Sequence, residues 1–362
     1  MDREAVLACE EREIDKMATD IKRSYPNAVG YTRSDYTGLP TTLCKGCGHN
    51  SISNIIISAC YELEIQPEKI VKFSGIGCSS KSIAYFLERS FGFNGLHGRM
   101  PSLAEGALFA DLSLKGIGIS GDGDTANIGL SQFKHLARRN LPMVYIVENN
   151  GVYGLTKGQF SATAEKGLKL KRQGENPYLP VDIALEAIAA NASFVARSFA
   201  GDPKQVKELI KAAFSHNGTA ILDIISPCVT FNNQDYSMHS YSWGKGHEAP
   251  LHEVEFVAPR EEITIDDFER GTVREVTMYD GSLIVFKKLE REYDPTNRTE
   301  AIRMLEEAIR RNWLITGLIY IDPNAPTIMD KYSLGKDPLN RVAPEKLRPD
   351  RKSLEMINRS FQ

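Results

Sequence analysis

Two polar segments of this chain have residue types and a spacing that could bind a divalent cation. Asp122 lies in the Gly-Asp-Gly-Asp segment of residues 121–124, and Asn150 follows it by 28 positions. A carboxylate, an amide carbonyl and a free backbone carbonyl are hard oxygen ligands of the kind that Mg²⁺ takes. Gly121 and Gly123 would let backbone N–H groups approach a diphosphate closely. The two segments therefore predict a site for Mg²⁺ and a diphosphate.

The elements around these segments would place them at one edge of a sheet. Residues 115–120 and 143–147 are apolar runs of strand length, and residues 127–140 have apolar positions at helical spacing. A right-handed crossover makes the two strands parallel, so Asp122 and Asn150 both follow the carboxyl ends of their strands. Open α/β sheets bind ligands at that edge, and the N-terminus of the intervening helix favours negative charge.

Four of the six cysteines have a context that could bind a metal centre. Cys44 and Cys47 form a CxxC motif, which suits a redox dithiol, half of a zinc site or half of an iron–sulfur site. Turn residues precede the motif, which disfavours a thioredoxin-like unit, and there is no second CxxC for a zinc ribbon. Cys78 and Cys228 each follow an apolar strand, although either one alone could be a small buried side chain. Together, four thiolates at the edge of the Mg²⁺ site favour a 4Fe–4S cluster.

The other two cysteines have no such context. Cys60 lies in the apolar helical run of residues 52–63 and is expected in the core, and Cys9 lies in a charged N-terminal segment. That segment lacks the apolar stretch of a signal peptide, and six cysteines in 362 residues do not make a disulfide scaffold. We therefore expect reduced thiols and a cytoplasmic location.

The motifs, taken in order, resemble those of the β subunits of 2-oxoacid:ferredoxin oxidoreductases. The chain has CKGCGH, SGIGCSSKS, HGRMPSLAEG, GDGD, NNGVYGLTKGQ and SPC within roughly residues 25–250. The GDG and NN segments with their flanks also resemble the thiamine diphosphate (ThDP) fingerprint. The chain departs from the family pattern at Leu43 and Lys45, where an aromatic residue and Pro are frequent. The shielding or potential of a cluster there could therefore differ.

The resemblance implies a role for each motif. Asp122, Asn150 and the backbone carbonyl of Val152 would hold Mg²⁺, and the four cysteines (Cys44, Cys47, Cys78 and Cys228) would hold one 4Fe–4S cluster. ThDP would supply the electron sink for decarboxylation of a 2-oxoacid, coenzyme A would take the acyl group and ferredoxin the electrons. The ThDP contacts that it implies are Ile76, Gly77, Cys78, Ser79, Gly121, Gly123, Asp124, Gly154 and Leu155.

Two histidines and two lysines are further candidates. His97, in a glycine-flanked turn, could face the diphosphate, and His49 follows the CxxC motif directly; a structural role is the alternative for each. Lys81 follows Cys78 by three residues, and Lys157 lies in the YGLTKGQ segment. Either ammonium could bind the remote carboxylate of 2-oxoglutarate, or be an ordinary solvated lysine.

Strands and helices alternate from about residue 25 to 230, which predicts an α/β fold with a doubly wound, mostly parallel sheet. By resemblance, this is the diphosphate-type domain of the ThDP-binding fold, over residues 26–250. Residues 1–25 are expected to be a charged helix or arm. Residues 231–250 are expected to be a loop. Residues 251–362 are expected to be a C-terminal extension of hairpin, helix and extended tail that contacts a partner or covers the cluster.

The length suits only the diphosphate half of a ThDP site, so the resemblance implies an α subunit that supplies the activating Glu, in an αβ or (αβ)₂ enzyme. The net charge of −3 and the absence of a basic stripe argue against nucleic acid, and no apolar run has membrane-spanning length. Two other functions stay open: a non-redox ThDP lyase in which the cysteines merely pack, and a zinc-binding interaction module.

Overall fold

The computed structural model describes residues 25–259, 274–287, 293–334, 337–338 and 341–361. The expected N-terminal arm, except Tyr25, and Cys9 lie outside this part of the chain. The strands are β1 Ile70–Ser74, β2 Phe91–Asn94, β3 Lys115–Gly121, β4 Met143–Asn149, β5 Val152–Tyr153, β6 Gln159–Phe160, β7 Lys169–Leu170, β8 Gly174–Glu175, β9 Phe194–Phe199, β10 Thr219–Ile225, β11 Glu248–Pro250, β12 Glu253–Val257, β13 Arg274–Thr277, β14 Leu283–Lys287 and β15 Leu314–Ile321. The helices are α1 Gly48–Glu62, α2 Met100–Ala110, α3 Leu130–Arg139, α4 Ile183–Ala189, α5 Pro203–Ser215, α6 Tyr241–His247, α7 Arg298–Arg311, α8 Ile328–Tyr332, α9 Pro344–Leu347 and α10 Arg351–Ser360.

An eight-stranded sheet in the order β11-β15-β9-β10-β4-β3-β1-β2 forms the centre of the fold. The six strands from β9 to β2 run parallel to one another. β15 runs antiparallel to β9, and β11 runs parallel to β15. This confirms the predicted doubly wound, mostly parallel sheet, and it places the ends of β1, β3, β4 and β10 at one edge.

Helices cover both faces of the sheet, which explains why β1, β4, β9 and β10 are buried at every position. On β4, Ile146 packs into the core under α1 and α5, while Tyr145 and Val147 pack into the core under α2, α3, α4 and α7. Cys60 is fully buried in the first of these cores, as predicted.

The crossover between β3 and β4 begins with a π-helical turn rather than a regular helix. Gly123–Ile128 form this turn, closed by a hydrogen bond from the Gly129 N–H to the Asp124 carbonyl at 2.9 Å, and α3 follows. The single helix predicted over residues 127–140 is therefore shorter. It ends at Asn140, which adopts the left-handed conformation with φ +59°. π-turns of this kind are frequent at functional sites because they redirect the helix N-terminus.

The predicted loop at residues 231–250 contains the short helix α6. Ser240 caps it by accepting a hydrogen bond from the Trp243 N–H at 3.1 Å, and Trp243 is buried beside Phe199. Gly244 and Gly246 lower the intrinsic helix propensity of the segment, which explains the wrong prediction. The packing of the indole outweighs that cost.

The C-terminal segment contains the expected hairpin and helix, but one strand of it belongs to the main sheet. β13 and β14 pair about the predicted turn at residues 279–281, with β12 on the other side of β14; residues 262–273 of that prediction lie outside the described chain. β15 enters the large sheet directly after α7. The tail is not simply extended, because it contains α8, α9 and the exposed, Asp350-capped helix α10. No helix in the described ranges is both long and apolar enough to cross a membrane.

Candidate functional site

A cavity of about 100 Å³ opens at the carboxyl edge of the sheet, between the loops that follow β1, β3 and β4. The structure brings all of the predicted Mg²⁺ and ThDP contacts to this cavity. Four residues without a predicted cofactor contact also line it: His49, Glu148, Tyr153 and Thr156. The predicted residues that line it are Ile76, Gly77, Cys78, Ser79, His97, Gly121, Asp122, Gly123, Asp124, Asn150, Val152, Gly154 and Leu155.

Asp122 is buried at the end of β3 with one carboxylate oxygen held by the protein. Its Oδ2 accepts hydrogen bonds from the hydroxyls of Thr163, at 2.7 Å, and Ser161. Its Oδ1 receives only a long contact from the Asn150 N–H, at 3.4 Å. One carboxylate oxygen therefore stays available beside the neutral oxygens of Asn150 and Val152. This donor set fits Mg²⁺, which is commonly bound through one or two carboxylates and other oxygens.

The carboxylate of Asp124 is directed to the protein, not to the cavity. It accepts hydrogen bonds from Ser120 Oγ at 2.6 Å, from the Gly98 N–H at 2.7 Å and from His97 Nδ1. A Cβ at Gly75 would lie 2.0 Å from Asp124 Oδ2, so only glycine fits there. Asp124 thus ties together the loops after β1, β2 and β3, and a diphosphate contact would come from its backbone.

Two glycines allow close packing at the cavity wall. A Cβ at Gly123 would lie 2.5 Å from the Tyr153 ring, and a Cβ at Gly121 would lie 3.0 Å from Ser79 Oγ. The Tyr153 hydroxyl also donates to the Gly123 carbonyl at 3.0 Å. Only glycine therefore lets Tyr153 pack directly against the backbone at the start of the π-turn, where Gly123 is buried.

The four predicted cysteine ligands share one neighbourhood next to this cavity, and we call them the thiol group. The Cβ position of Gly154 would lie 3.4 Å from Cys228 Sγ and 3.7 Å from Cys78 Sγ. The pKa of Cys47 is raised to about 12, mainly by burial and in smaller part by the nearby Cys228 and Cys78 thiols. Burial is the main cause of the raised pKa of Cys78 and of Cys228, and the nearby Cys44 thiol adds to the rise in each.

The thiol group has the number of thiols that one 4Fe–4S cluster takes. Within the described part of the chain, no three His, Cys, Asp or Glu side chains are arranged to hold one metal ion. A 4Fe–4S cube binds one cysteine at each iron and is larger than one ion, so it can accept four thiols that cannot share one centre. The absent side chain of Gly154 leaves space beside two of them.

Glu148 is a buried acid at the cavity that the sequence analysis missed. It is 0% exposed on β4, and burial raises the pKa of its carboxyl well above the usual range. The Ser82 hydroxyl donates to it at 3.0 Å, and His49 Nδ1 lies 3.5 Å from its Oε2. His49 also hydrogen-bonds Ser226 at 2.6 Å, and burial lowers its pKa to about 4. Burial therefore favours the neutral form of both groups. The signal for Glu148 in the sequence was an acidic residue directly after the apolar run of residues 143–147.

The two candidate substrate lysines do not line the cavity. Lys81 and Lys157 are both exposed. Lys81 is close enough to Cys78 for its charge to lower the pKa of that thiol, against the larger effect of burial. Lys157 has φ +75° at the end of a turn in which its N–H donates to the Gly154 carbonyl at 3.1 Å.

Known proteins with similar sequences share this part of the chain. Residues 75–224 match the thiamine pyrophosphate enzymes, C-terminal TPP binding domain. The chain is 43% identical over 192 residues to the 2-oxoacid:ferredoxin oxidoreductase subunit beta of Saccharolobus solfataricus, a match that covers 52% of this chain and 63% of that relative. It is 36% identical over 208 residues to the 2-oxoglutarate synthase subunit KorB of Methanocaldococcus jannaschii, covering 56% of this chain and 74% of that one. The chain belongs to the β subunits of the 2-oxoacid:ferredoxin oxidoreductases.

A solved structure agrees with this family. A chain of the 2-oxoglutarate:ferredoxin oxidoreductase from Magnetococcus marinus, solved with 2-oxoglutarate, coenzyme A and succinyl-CoA bound, is similar with a TM-score of 0.67 and 30% identity. The match covers 86% of this chain and 91% of that one. The resemblance to this β-subunit family and the thiamine-pyrophosphate-binding type of the domain are thus both confirmed.

Proposed function

We propose that this chain is the β subunit of an enzyme that oxidatively decarboxylates a 2-oxoacid to an acyl-CoA and CO₂ and reduces ferredoxin. The observation that carries the proposal is the position of Gly154. It lines the cavity of Asp122 and Asn150, and its Cβ position contacts two of the four thiols. The proposed decarboxylation site and the proposed electron-transfer site would therefore be adjacent, which is what this reaction requires.

Different residues at the cavity would bind the Mg²⁺, the diphosphate and the cluster. Asp122, Asn150 and the Val152 carbonyl would hold Mg²⁺, and the backbone around Gly123 would bind the diphosphate. When bound, ThDP supplies the electron sink that decarboxylation of a 2-oxoacid needs. The thiol group would hold one 4Fe–4S cluster. His97 would keep its loop in place through Asp124 and present its other ring nitrogen at the partly exposed wall.

The preferred substrate would be 2-oxoglutarate. The KorB relative is named a 2-oxoglutarate synthase subunit, and the Magnetococcus structure contains 2-oxoglutarate and succinyl-CoA. An α subunit would complete the site and supply the activating Glu, in an αβ or (αβ)₂ enzyme. Exposed apolar side chains at the cavity and in the adjoining loops support a protein partner there. They are Ile76, Leu96, Ile128 and Leu155.

Anaerobic purification with the co-expressed partner subunit tests this proposal, followed by iron, sulfide and ThDP analysis and a visible spectrum. We expect about four irons and four sulfides per chain and a brown absorbance that 2-oxoglutarate with coenzyme A bleaches. A colourless protein that contains ThDP would favour the non-redox lyase. A protein that contains zinc, without ThDP, would favour the interaction module.

Lys157→Ala should distinguish a carboxylate-binding role from a solvated lysine. We expect kcat/KM for 2-oxoglutarate to fall about tenfold or more, with a smaller loss for pyruvate, because only 2-oxoglutarate has a second carboxylate. Lys157→Arg, which keeps the charge, is the control and should retain more of the preference. Equal losses for the two substrates would exclude the carboxylate role.

Thr163→Val should weaken Mg²⁺ binding without changing a ligand. The Thr163 hydroxyl donates to Asp122 Oδ2 at 2.7 Å and lies 2.9 Å from Asn149 Oδ1, so it orients the carboxylate. Loss of a side chain that hydrogen-bonds a metal ligand lowers metal affinity about 10–100-fold. Titration of Mg²⁺-dependent ThDP binding measures the change, and Thr163→Ser should restore it. If the valine variant bound Mg²⁺ as the parent does, the hydroxyl would have no orienting role.

A further inference from the structure

Exposed cations gather around the thiol group although the chain as a whole has a net charge of −3. These cations form no continuous basic stripe in the sequence because they come from separate segments. Lys45 lies between two of the cysteines, and the Lys81 N–H donates to the Cys78 carbonyl at 3.1 Å. We define the basic rim as six exposed residues: Lys45, Lys81, Lys157, Lys169, Lys171 and Arg172.

The β7–β8 hairpin contributes half of this rim and is anchored beside a cysteine of the thiol group. Leu168 and Leu170 are buried in a small apolar cluster, and Cys228 and Phe231 pack against that cluster. The hairpin therefore buries its leucines toward Cys228 while Lys169 and Lys171 stay exposed.

The loop that carries Lys157 joins the same surface. A Cβ at Gly158 would lie 3.0 Å from the Phe231 ring, and Phe231 packs against the cluster under the hairpin. The Phe160 N–H donates to Gln173 Oε1 at the hairpin turn, at 2.9 Å. These contacts make the loop and the hairpin one continuous surface next to the thiol group.

Acidic side chains on this surface offset only part of its positive charge. Glu175 lies on β8, where Lys169 Nζ approaches its Oε2 at 3.4 Å. Glu165 is buried and paired with His239 at 3.2 Å. Cys44, in contrast, is exposed, so a partner that binds the rim would come close to the thiol group.

We propose that the basic rim is the docking surface for ferredoxin, recognised as a small acidic electron-carrier protein. The inference rests on the proposed function, because an acceptor needs to approach the thiol group only if that group holds a redox centre. Opposite charges would guide the encounter, raise the association rate and orient the acceptor. Binding should therefore weaken steeply as ionic strength rises, since these charges are exposed and easily screened.

The test measures the Kd of oxidised ferredoxin for the complete enzyme at several salt concentrations. We expect Lys171→Glu/Arg172→Glu to raise the Kd about tenfold or more at low salt, with the difference shrinking at high salt. Lys171→Gln/Arg172→Gln should give a smaller shift in the same direction. Turnover with a small neutral dye as acceptor should not change in either variant.

The matched control makes the same charge change at the opposite edge of the sheet. Lys69 precedes β1 and Arg138 lies in the last turn of α3, and both are exposed. Lys69→Glu/Arg138→Glu should leave the Kd within about twofold of the parent. Equal Kd shifts in the two double variants, or a parent Kd that does not respond to salt, would overturn the docking inference. Failure of the proposed function would show separately, because the parent enzyme would then not reduce the dye with any 2-oxoacid.

Discussion

Asp122→Ala is expected to purify without ThDP and Mg²⁺. Asp122 would be the only ionised ligand in the proposed set, so its removal leaves neutral amide and carbonyl oxygens, which are weak ligands for a hard dication. The substitution also leaves the hydroxyls of Ser161 and Thr163 without their acceptor. Loss of a side chain that only hydrogen-bonds a metal ligand lowers metal affinity about 10–100-fold, and we expect the loss of Asp122 itself to lower Mg²⁺ affinity more than that.

Two measurements and one control make this prediction specific. ThDP released from the denatured protein is quantified by fluorescence after oxidation, and bound Mg²⁺ by mass spectrometry. Asp122→Asn keeps the size and an oxygen acceptor for the two hydroxyls while removing the charge. We expect it to fold as the parent does and still to lose most of its Mg²⁺. Parent-like ThDP and Mg²⁺ contents in the alanine variant would mean that the cofactor site lies elsewhere.

Cys228→Ser is expected to lose the cluster or leave it damaged. Cys228 follows β10, and its thiol lies beside the Cβ position of Gly154 together with that of Cys78. A serine hydroxyl is a poor ligand for iron at neutral pH because it stays protonated, whereas the proposed cluster takes four thiolates. We expect clearly less than four irons per chain, a weaker visible absorbance and loss of electron transfer to ferredoxin.

A second cysteine provides the matched control. Cys60 is fully buried in the core under α1, outside the thiol group. A serine there can hydrogen-bond the carbonyl one turn earlier in the helix, so Cys60→Ser should fold. It should keep the parent iron and sulfide contents. An unchanged iron content and unchanged electron transfer in Cys228→Ser would mean that the fourth ligand is another residue.

The parts of the site that could be predicted depend on local sequence and on one rule of sheet geometry. Asp122 and Asn150 each follow an apolar run, and the ends of neighbouring parallel strands meet at one edge. The same argument brought Cys78 and Cys228 to that edge, and the structure places all four there. None of this required knowledge of long-range contacts beyond the order of the strands.

Other features depend on packing that no local pattern encodes. The direction of the Asp124 carboxylate is set by donors from the loop after β1, the loop after β2 and β3 itself, so its spacing from Asp122 could not distinguish a ligand from an anchor. The fold buries Glu148 and His49, which raises the pKa of the carboxyl and lowers that of the imidazole. The basic rim likewise becomes one surface only when four segments fold together.

The antiparallel pairing of β15 with β9 has a consequence for biosynthesis. β9 is fully buried in the sheet, yet its second neighbour leaves the ribosome about a hundred residues after it, which takes roughly 5–20 s at usual translation rates. During that interval the nascent chain exposes an apolar strand edge, a template for wrong pairing with other chains. The sheet is therefore complete only after the C-terminal segment has been synthesised. A chaperone that shields the free edge of β9 until then would protect the newly made subunit.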